Sequence, residues 1–196
     1  MKELETRIIQ DGKIINNEIL KIDSFINHQI DVNLLNNISK YLASHFVNIT
    51  KILTIETSGI AFAIGVSQCL GNIPVVFAKK SKSKIVDEKN IYTARVHSFT
   101  KNVDNVISVD KRFLSKEDNV LIVDDFLAEG NAAFGLIDLC HQANSEIAGV
   151  AVVVEKRFQG GRERIEHAGI KVVSAASIDH FENNTVVFYN ENSYLL

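Results

Sequence analysis

The sequence predicts an α/β domain built on a twisted parallel sheet flanked by helices. Short continuous apolar runs, such as Val120-Leu-Ile-Val123 and Val150-Ala-Val-Val-Val154, suit strands covered on both faces. Amphipathic stretches of helical length stand between these runs, and strand–helix alternation implies parallel pairing through right-handed crossovers. With 196 residues and 46% hydrophobic content, the chain can fill one domain, 1–196, with a substantial core. It shows no internal repeat and no low-complexity linker.

The elements follow in order. Leu4, Ile8 and Ile9 sit at helical spacing in residues 3–11, with Gly12 as the stop. In 14–30, apolar pairs (Ile14-Ile15, Ile19-Leu20, Phe25-Ile26) alternate with Asn and Asp, a pattern of short strands and loops. Asp31 can cap a helix over 32–47, whose Leu34, Leu35, Ile38, Leu42 and Phe46 form one stripe. Strand 51–55, loop 56–59, helix 60–70 and strand 73–78 complete a βαβ unit. Residues 79–102 are polar and basic, with Lys79, Lys80, Lys82, Lys84, Lys89, Arg95 and Lys101 and weak alternation. Strand 120–124, helix 132–143 and strand 147–154 form a second unit. A basic loop and helix, 156–168, lead to strand 170–173. The tail, 177–196, mixes Phe181, Val186, Val187, Phe188 and Tyr189 with asparagines. Apolar residues left over in 103–114 and in Tyr194-Leu195-Leu196 hint at contact with a second copy.

A net charge of −3 and a pI near 6.1 argue against nucleic-acid or membrane-surface partners, which would favour a basic face. No apolar run reaches a membrane span, and the first residues lack a signal-peptide pattern, so the expected location is cytoplasmic. Cys69 and Cys140, within expected helices and not at metal-ligand spacing, read as reduced core thiols. The six histidines show no metal spacing and none is assigned a catalytic role. No residue is assigned as a direct metal ligand.

The chemistry concentrates in residues 120–133. The apolar strand ends in two carboxylates, Asp124 and Asp125, followed by the loop Ala128-Glu129-Gly130-Asn131-Ala132 and then a helix. Amides of such a loop and the free N–H groups of a helix's first turn point at an anion. Gly130 lets the backbone take φ > 0 and approach a phosphate without a Cβ in the way. The carboxylates can accept hydrogen bonds from vicinal hydroxyls. On spacing alone, the acids also read as solvated turn residues and Gly130 as a hinge. Glu56-Thr57-Ser58-Gly59 likewise ends a buried strand and opens a helix, either a second anion loop or a plain βα turn. Lys79 and Lys80 directly follow a strand, where an ammonium can reach a polyphosphate or simply be solvated.

Residues 120–133 resemble the signature of the type I phosphoribosyltransferases: an apolar strand, two acids and a short loop rich in small residues. Ala-Glu-Gly-Asn-Ala stands where many members carry Ala-Thr-Gly-Gly-Thr, which looks like the bacterial xanthine phosphoribosyltransferase version. The similarity extends along essentially the whole chain. It implies the type I phosphoribosyltransferase fold, with a small hood (parts of 14–30 and 175–190) over the carboxyl edge of the sheet. It also implies a flap, about 81–100, that closes on the substrates.

The same resemblance places Asp124 and Asp125 at the ribose hydroxyls and Ala128, Glu129, Gly130, Asn131 and Ala132 at the 5′-phosphate of phosphoribosyl pyrophosphate (PRPP). Thr57, Ser58 and Gly59, with Lys80, fall at its pyrophosphate. Leu20 would pack on the purine face, Asn27 would meet its edge, and Lys156 would donate to its 6-oxo group. Read without the resemblance, Leu20 suits a core, Asn27 a turn, and Lys156 an ion pair with Glu155 or another acid. An amide such as that of Asn27 does not by itself separate xanthine from guanine.

The implied reaction transfers the 5-phosphoribosyl group from PRPP to N9 of xanthine, giving xanthosine 5′-monophosphate (XMP) and pyrophosphate. Mg2+ would be bound with PRPP and pyrophosphate, and the family is commonly homodimeric. Guanine or hypoxanthine is the alternative base; the 6-amino group of adenine would oppose the donor Lys156. A non-catalytic PRPP-sensing regulator is the other reading, and it would need a DNA-binding domain or basic face. Neither the Glu129 carboxylate beside a phosphate loop nor the acceptor of the purine proton has an account at this level.

Overall fold

The structure, a computed structural model, describes residues 1–80, 88–98 and 103–190. Helix α1 (Lys2–Asp11) buries Leu4 and Ile8 and ends at Gly12. Strands β1 (Lys13–Ile15) and β2 (Ile19–Lys21) form a small antiparallel hairpin whose turn places Asn16 and Asn17 at φ 53° and 56°. Asparagine tolerates this left-handed conformation through its short polar side chain. A five-residue turn, Asp23–Asn27, buries Phe25 and Ile26. Helix α2 (Val32–Ala43) starts where the sequence predicts, because Asp31 accepts the N–H groups of Asn33 and Leu34, both at 3.1 Å.

The central sheet contains β3 (Lys51–Ile55), β4 (Val75–Ala78), β7 (Asn119–Leu127), β8 (Glu146–Lys156), β9 (Val172–Glu182) and β10 (Thr185–Phe188). Its order is β10-β9-β8-β7-β3-β4, parallel throughout except for the antiparallel edge strand β10. Helices α3 (Gly59–Cys69), α4 (Asn131–Ala143) and α5 (Gly161–His167) supply the crossovers. The chain proceeds from β3 toward β4 in one direction and from β7 toward β9 in the other. The carboxyl ends of β3 and β7 therefore flank the point where strand order reverses, and a crevice opens there.

The apolar runs divide by parity, because successive strand residues face opposite sides. Leu121, Val123, Ala151 and Val153 join Leu4, Ile38 and Phe62 in one core, under α1, α2 and α3. Val120, Ile122, Val150 and Val152 join Leu136, Leu139 and Ile165 in the other, under α4 and α5. Both faces of the central strands are covered, which is why their sequences run apolar without alternation.

Four observations bear on these expectations. First, β5 (Ile91–Ser98) and β6 (Val103–Asp110) pair as long antiparallel strands, laid over α4 and joined to the end of β4 by reciprocal 3.0 Å bonds between Lys79 and Ser108. Of the expected flap, 91–98 is thus a paired strand, while 81–87 and 99–100 lie outside the described residues. Second, of the apolar residues of 103–114, Ile107, Val109 and Leu114 are buried within this chain, while Phe113 is 51% exposed. Residues 194–196 lie outside the described residues. Third, β9 and β10 make much of 175–190 an edge of the main sheet, with the β1–β2 turn set against it through Asn17, which donates to the Phe181 carbonyl at 3.3 Å. Fourth, Cys140 is a core thiol, pushed up by burial to about 12, but Cys69 is exposed at the end of α3. Among the described residues, no helix is long and apolar enough to cross a membrane.

Candidate active site

Asp124 and Asp125 lie within β7, which continues past them to Leu127 instead of ending there. Each carboxylate accepts the next residue's N–H: Asp124 from Asp125 at 2.9 Å, and Asp125 from Phe126 at 3.0 Å. Asp124 is only 7% exposed. Burial holds its carboxyl well above the usual range, the neighbouring charge of Asp125 adds to this, and the Lys80 ammonium partly offsets both.

The loop Glu56–Ser58 follows β3 directly and opens α3, and its Glu56–Thr57 peptide is cis. Gly59 lets the helix dock against β7: an added Cβ would stand 2.5 Å from Oγ1 of Thr54 and 2.8 Å from Oδ1 of Asp124. The Lys80 N–H donates to Oε2 of Glu56 at 2.9 Å, tying the end of β4 to this loop.

These pieces line one crevice of ≈ 210 Å³ at the switch point, formed by Ile55, Glu56, Thr57, Ser58, Lys80, Asp124, Asp125 and Ala132, with Val96, His97 and Asn105 from β5 and β6. The structure therefore brings together Thr57, Ser58, Lys80, Asp124, Asp125 and Ala132, with Gly59 directly behind. Sequence reasoning missed the residues of β5 and β6. The signal was present as period-two alternation, since Ala94 and Val96 are buried while Arg95 between them is exposed. An ammonium, two carboxylates and the start of α3 beside one another suit a ligand carrying both phosphate and vicinal hydroxyl groups.

Gly130 adopts φ 88°, as the sequence predicts, and directly precedes α4. Ala128, Glu129 and Asn131 are half-buried around it, and Ala132 reaches the crevice.

The residues expected at the base lie elsewhere on the carboxyl edge. Lys156 closes β8, and its Nζ donates to the Glu18 carbonyl in the β1–β2 turn at 3.3 Å and stands 5.8 Å from the Phe181 ring. Burial lowers the pKa of its ammonium, and the Glu18 carboxylate opposes that shift. Lys156 does not pair with Glu155. That carboxylate is fully buried and takes Arg162 in a two-pronged pair, at 2.7 and 2.6 Å. Leu20 is buried in β2 within the core that contains Ile22 and Phe25, and Asn27 is exposed at the end of its turn. Neither these two nor Lys156 lines the 210 Å³ crevice.

Comparison with known proteins agrees with this architecture. Residues 27–191 match the phosphoribosyl transferase domain. The xanthine phosphoribosyltransferase of Clostridium novyi is 50% identical over 192 residues, covering 97% of this chain and 100% of that one. That of Streptococcus pneumoniae serotype 2 is 50% identical over 190 residues, covering 96% and 97%. In fold, the APRTase of Giardia lamblia complexed with 9-deazaadenine superposes with a TM-score of 0.72 at 23% identity, covering 87% of this chain and 95% of that one. The adenine phosphoribosyltransferase of Rhodothermus marinus gives a TM-score of 0.70 at 21% identity, covering 91% and 100%. By its sequence match and by its sheet order, the chain belongs to the phosphoribosyl transferase domain family.

Proposed function

We propose that the protein transfers the 5-phosphoribosyl group from PRPP to N9 of xanthine, releasing pyrophosphate and forming XMP. One observation carries the reaction class: Asp124, Asp125, Thr57, Ser58 and Lys80 line a single crevice at the switch point of the sheet. Half the residues are shared with proteins named xanthine phosphoribosyltransferase, which supports the choice of base.

In this reading the amides of 128–132 and the start of α4 hold the 5′-phosphate, and Asp124 and Asp125 accept the ribose hydroxyls. The loop 57–59 and Lys80 hold the pyrophosphate. As pyrophosphate leaves, positive charge develops at C1′, which carboxylates held at the ribose would stabilise. Lys156 donates to the 6-oxo group, Asn27 meets the base edge, and Leu20 supports its face, so N9 is held in line with C1′. Phosphoribosyltransferases generally use Mg2+ with PRPP. Among the described residues, no group of three or more His, Cys, Asp or Glu could hold a metal ion. In this reading the ion would be carried mainly by substrate oxygens and water. When bound, it neutralises charge on the pyrophosphate.

The hood is assigned to the β1–β2 hairpin, the 23–27 turn and the β9–β10 edge, and the flap to residues 81–100. The protein is proposed to act in the cytoplasm as a homodimer. The test is product identification. Protein, Mg2+, PRPP and xanthine should yield XMP and pyrophosphate in equal amounts, detected by mass spectrometry. The double variant D124N/D125N should yield neither. A wild-type protein that binds PRPP but releases no pyrophosphate would contradict the enzyme reading.

A further inference from the structure

We infer that Arg164 is a positioning residue for the loop Ala128–Ala132, holding its carbonyls from behind so that its amides face the substrate phosphate. The inference rests on the reading of that loop as the 5′-phosphate cradle. A nest of N–H groups can converge on an anion only if the carbonyls of the same loop point away, and donors to those carbonyls hold that orientation. Helix α5 supplies them. The Gly161 N–H donates to the Ala128 carbonyl at 3.1 Å, and Nη1 of Arg164 donates to the Glu129 carbonyl at 2.7 Å. The next carbonyl, of Gly130, is taken by the Phe134 N–H at 2.8 Å in the first turn of α4. Three consecutive carbonyls of the loop thus have donors from α5 or α4, whereas the N–H groups of Asn131, Ala132 and Ala133 are among those a helix leaves without an intrahelical partner.

The fit is close. A Cβ on Gly161 would stand 2.9 Å from the Gly130 nitrogen and 3.0 Å from the Glu129 carbonyl carbon. The Arg164 guanidinium also lies 4.7 Å from the centre of the Phe134 ring, so it spans from the loop to the helix that the loop opens. Helix α5 is itself fixed to the sheet, because Arg162 binds the buried Glu155 carboxylate of β8 and donates to the Val172 carbonyl of β9 at 3.0 Å. The arrangement also addresses Glu129. Arg164 places a guanidinium at the backbone of the one acidic residue in the loop, where it offsets negative charge near the phosphate.

The test is steady-state kinetics with each substrate varied in turn, using R164A, R164K and a loop variant, G130V. R164A is expected to raise the KM for PRPP about tenfold, with the KM for xanthine within twofold and the melting temperature within a few degrees of wild type. R164K keeps a donor for the Glu129 carbonyl but not the planar group over Phe134, so it is expected to recover part of the loss. A merely structural role would lower stability and move both KM values together. If G130V raises the KM for PRPP and folded R164A does not, the inference about Arg164 is overturned while the phosphate reading of the loop stands. If folded G130V also leaves that KM unchanged, the reading of the loop fails, and this inference with it.

Discussion

Gly59 and Asp124 touch across the junction of α3 and β7, so closely that a Cβ on the glycine would stand 2.8 Å from the carboxyl Oδ1. The contact ties the loop that precedes α3 to the acid pair, so the two halves of the crevice share one backbone constraint. Gly59→Ala must push back Thr54 or Asp124. Overpacking of this kind costs about 1–3 kcal/mol, and a displacement near 1 Å at a reacting centre costs on the order of 10²-fold in rate. A kcat/KM measurement and a urea titration on G59A check both effects.

Asp124 is retained at a cost in stability. Burial and the charge of Asp125 raise its pKa well above the ordinary carboxylate value. Between that value and the raised one, the folded chain holds a proton that the unfolded chain has released. Stability therefore falls as pH rises through that window, and the penalty is complete above it. Asp124→Asn removes the buried charge, so D124N is expected to melt higher than wild type near pH 8. A gain of 1 kcal/mol corresponds to about 2–4 °C for a chain of this size. The gain should shrink toward pH 4, while kcat/KM falls by two orders of magnitude or more. Thermal melts across pH, paired with kinetics, test the opposition.

Lys156 reaches from the end of β8 to the Glu18 carbonyl of the β1–β2 turn at 3.3 Å. An ammonium has three donors, so one can hold the hairpin while another serves the purine oxygen. Losing a hydrogen bond from a charged donor costs about 1.5–3 kcal/mol, which corresponds to a rise of about 10- to 150-fold in the KM for xanthine in K156A. The KM for PRPP should change far less. Equal shifts in both would place Lys156 outside the base site.

Glu155, the residue before that lysine in β8, pairs with Arg162, their side chains 1% and 13% exposed. Arg162→Ala leaves a buried carboxylate without its partner, a loss of about 3–5 kcal/mol. The double variant E155L/R162M replaces the pair with apolar side chains and is expected to regain much of that. Denaturant titrations of the single and double variants decide the matter.

The parts of the site legible in the sequence are those made by contiguous residues. Asp124, Asp125, Gly130 and the 56–59 loop were each marked by a strand ending where a helix begins, and the apolar runs gave the parallel sheet. The β5–β6 hairpin escaped because its apolar alternation is short, carried by Ala94 and Val96 on either side of Arg95, and is diluted by the surrounding lysines. The partner of Glu155 escaped because Arg162 is seven residues away and on another element. The clamp of Arg164 on the Glu129 carbonyl spans 35 residues and exists only once α5 packs behind the loop.

The most direct test of the account compares kcat/KM for xanthine, guanine, hypoxanthine and adenine, each with PRPP and Mg2+, by pyrophosphate release. The account predicts that xanthine exceeds every other base by at least about tenfold, a difference worth about 1.4 kcal/mol, and that K156A narrows the gap. A higher kcat/KM for guanine, hypoxanthine or adenine would contradict the assignment of the base. Absence of turnover with all four, alongside measurable PRPP binding, would contradict the assignment of the reaction.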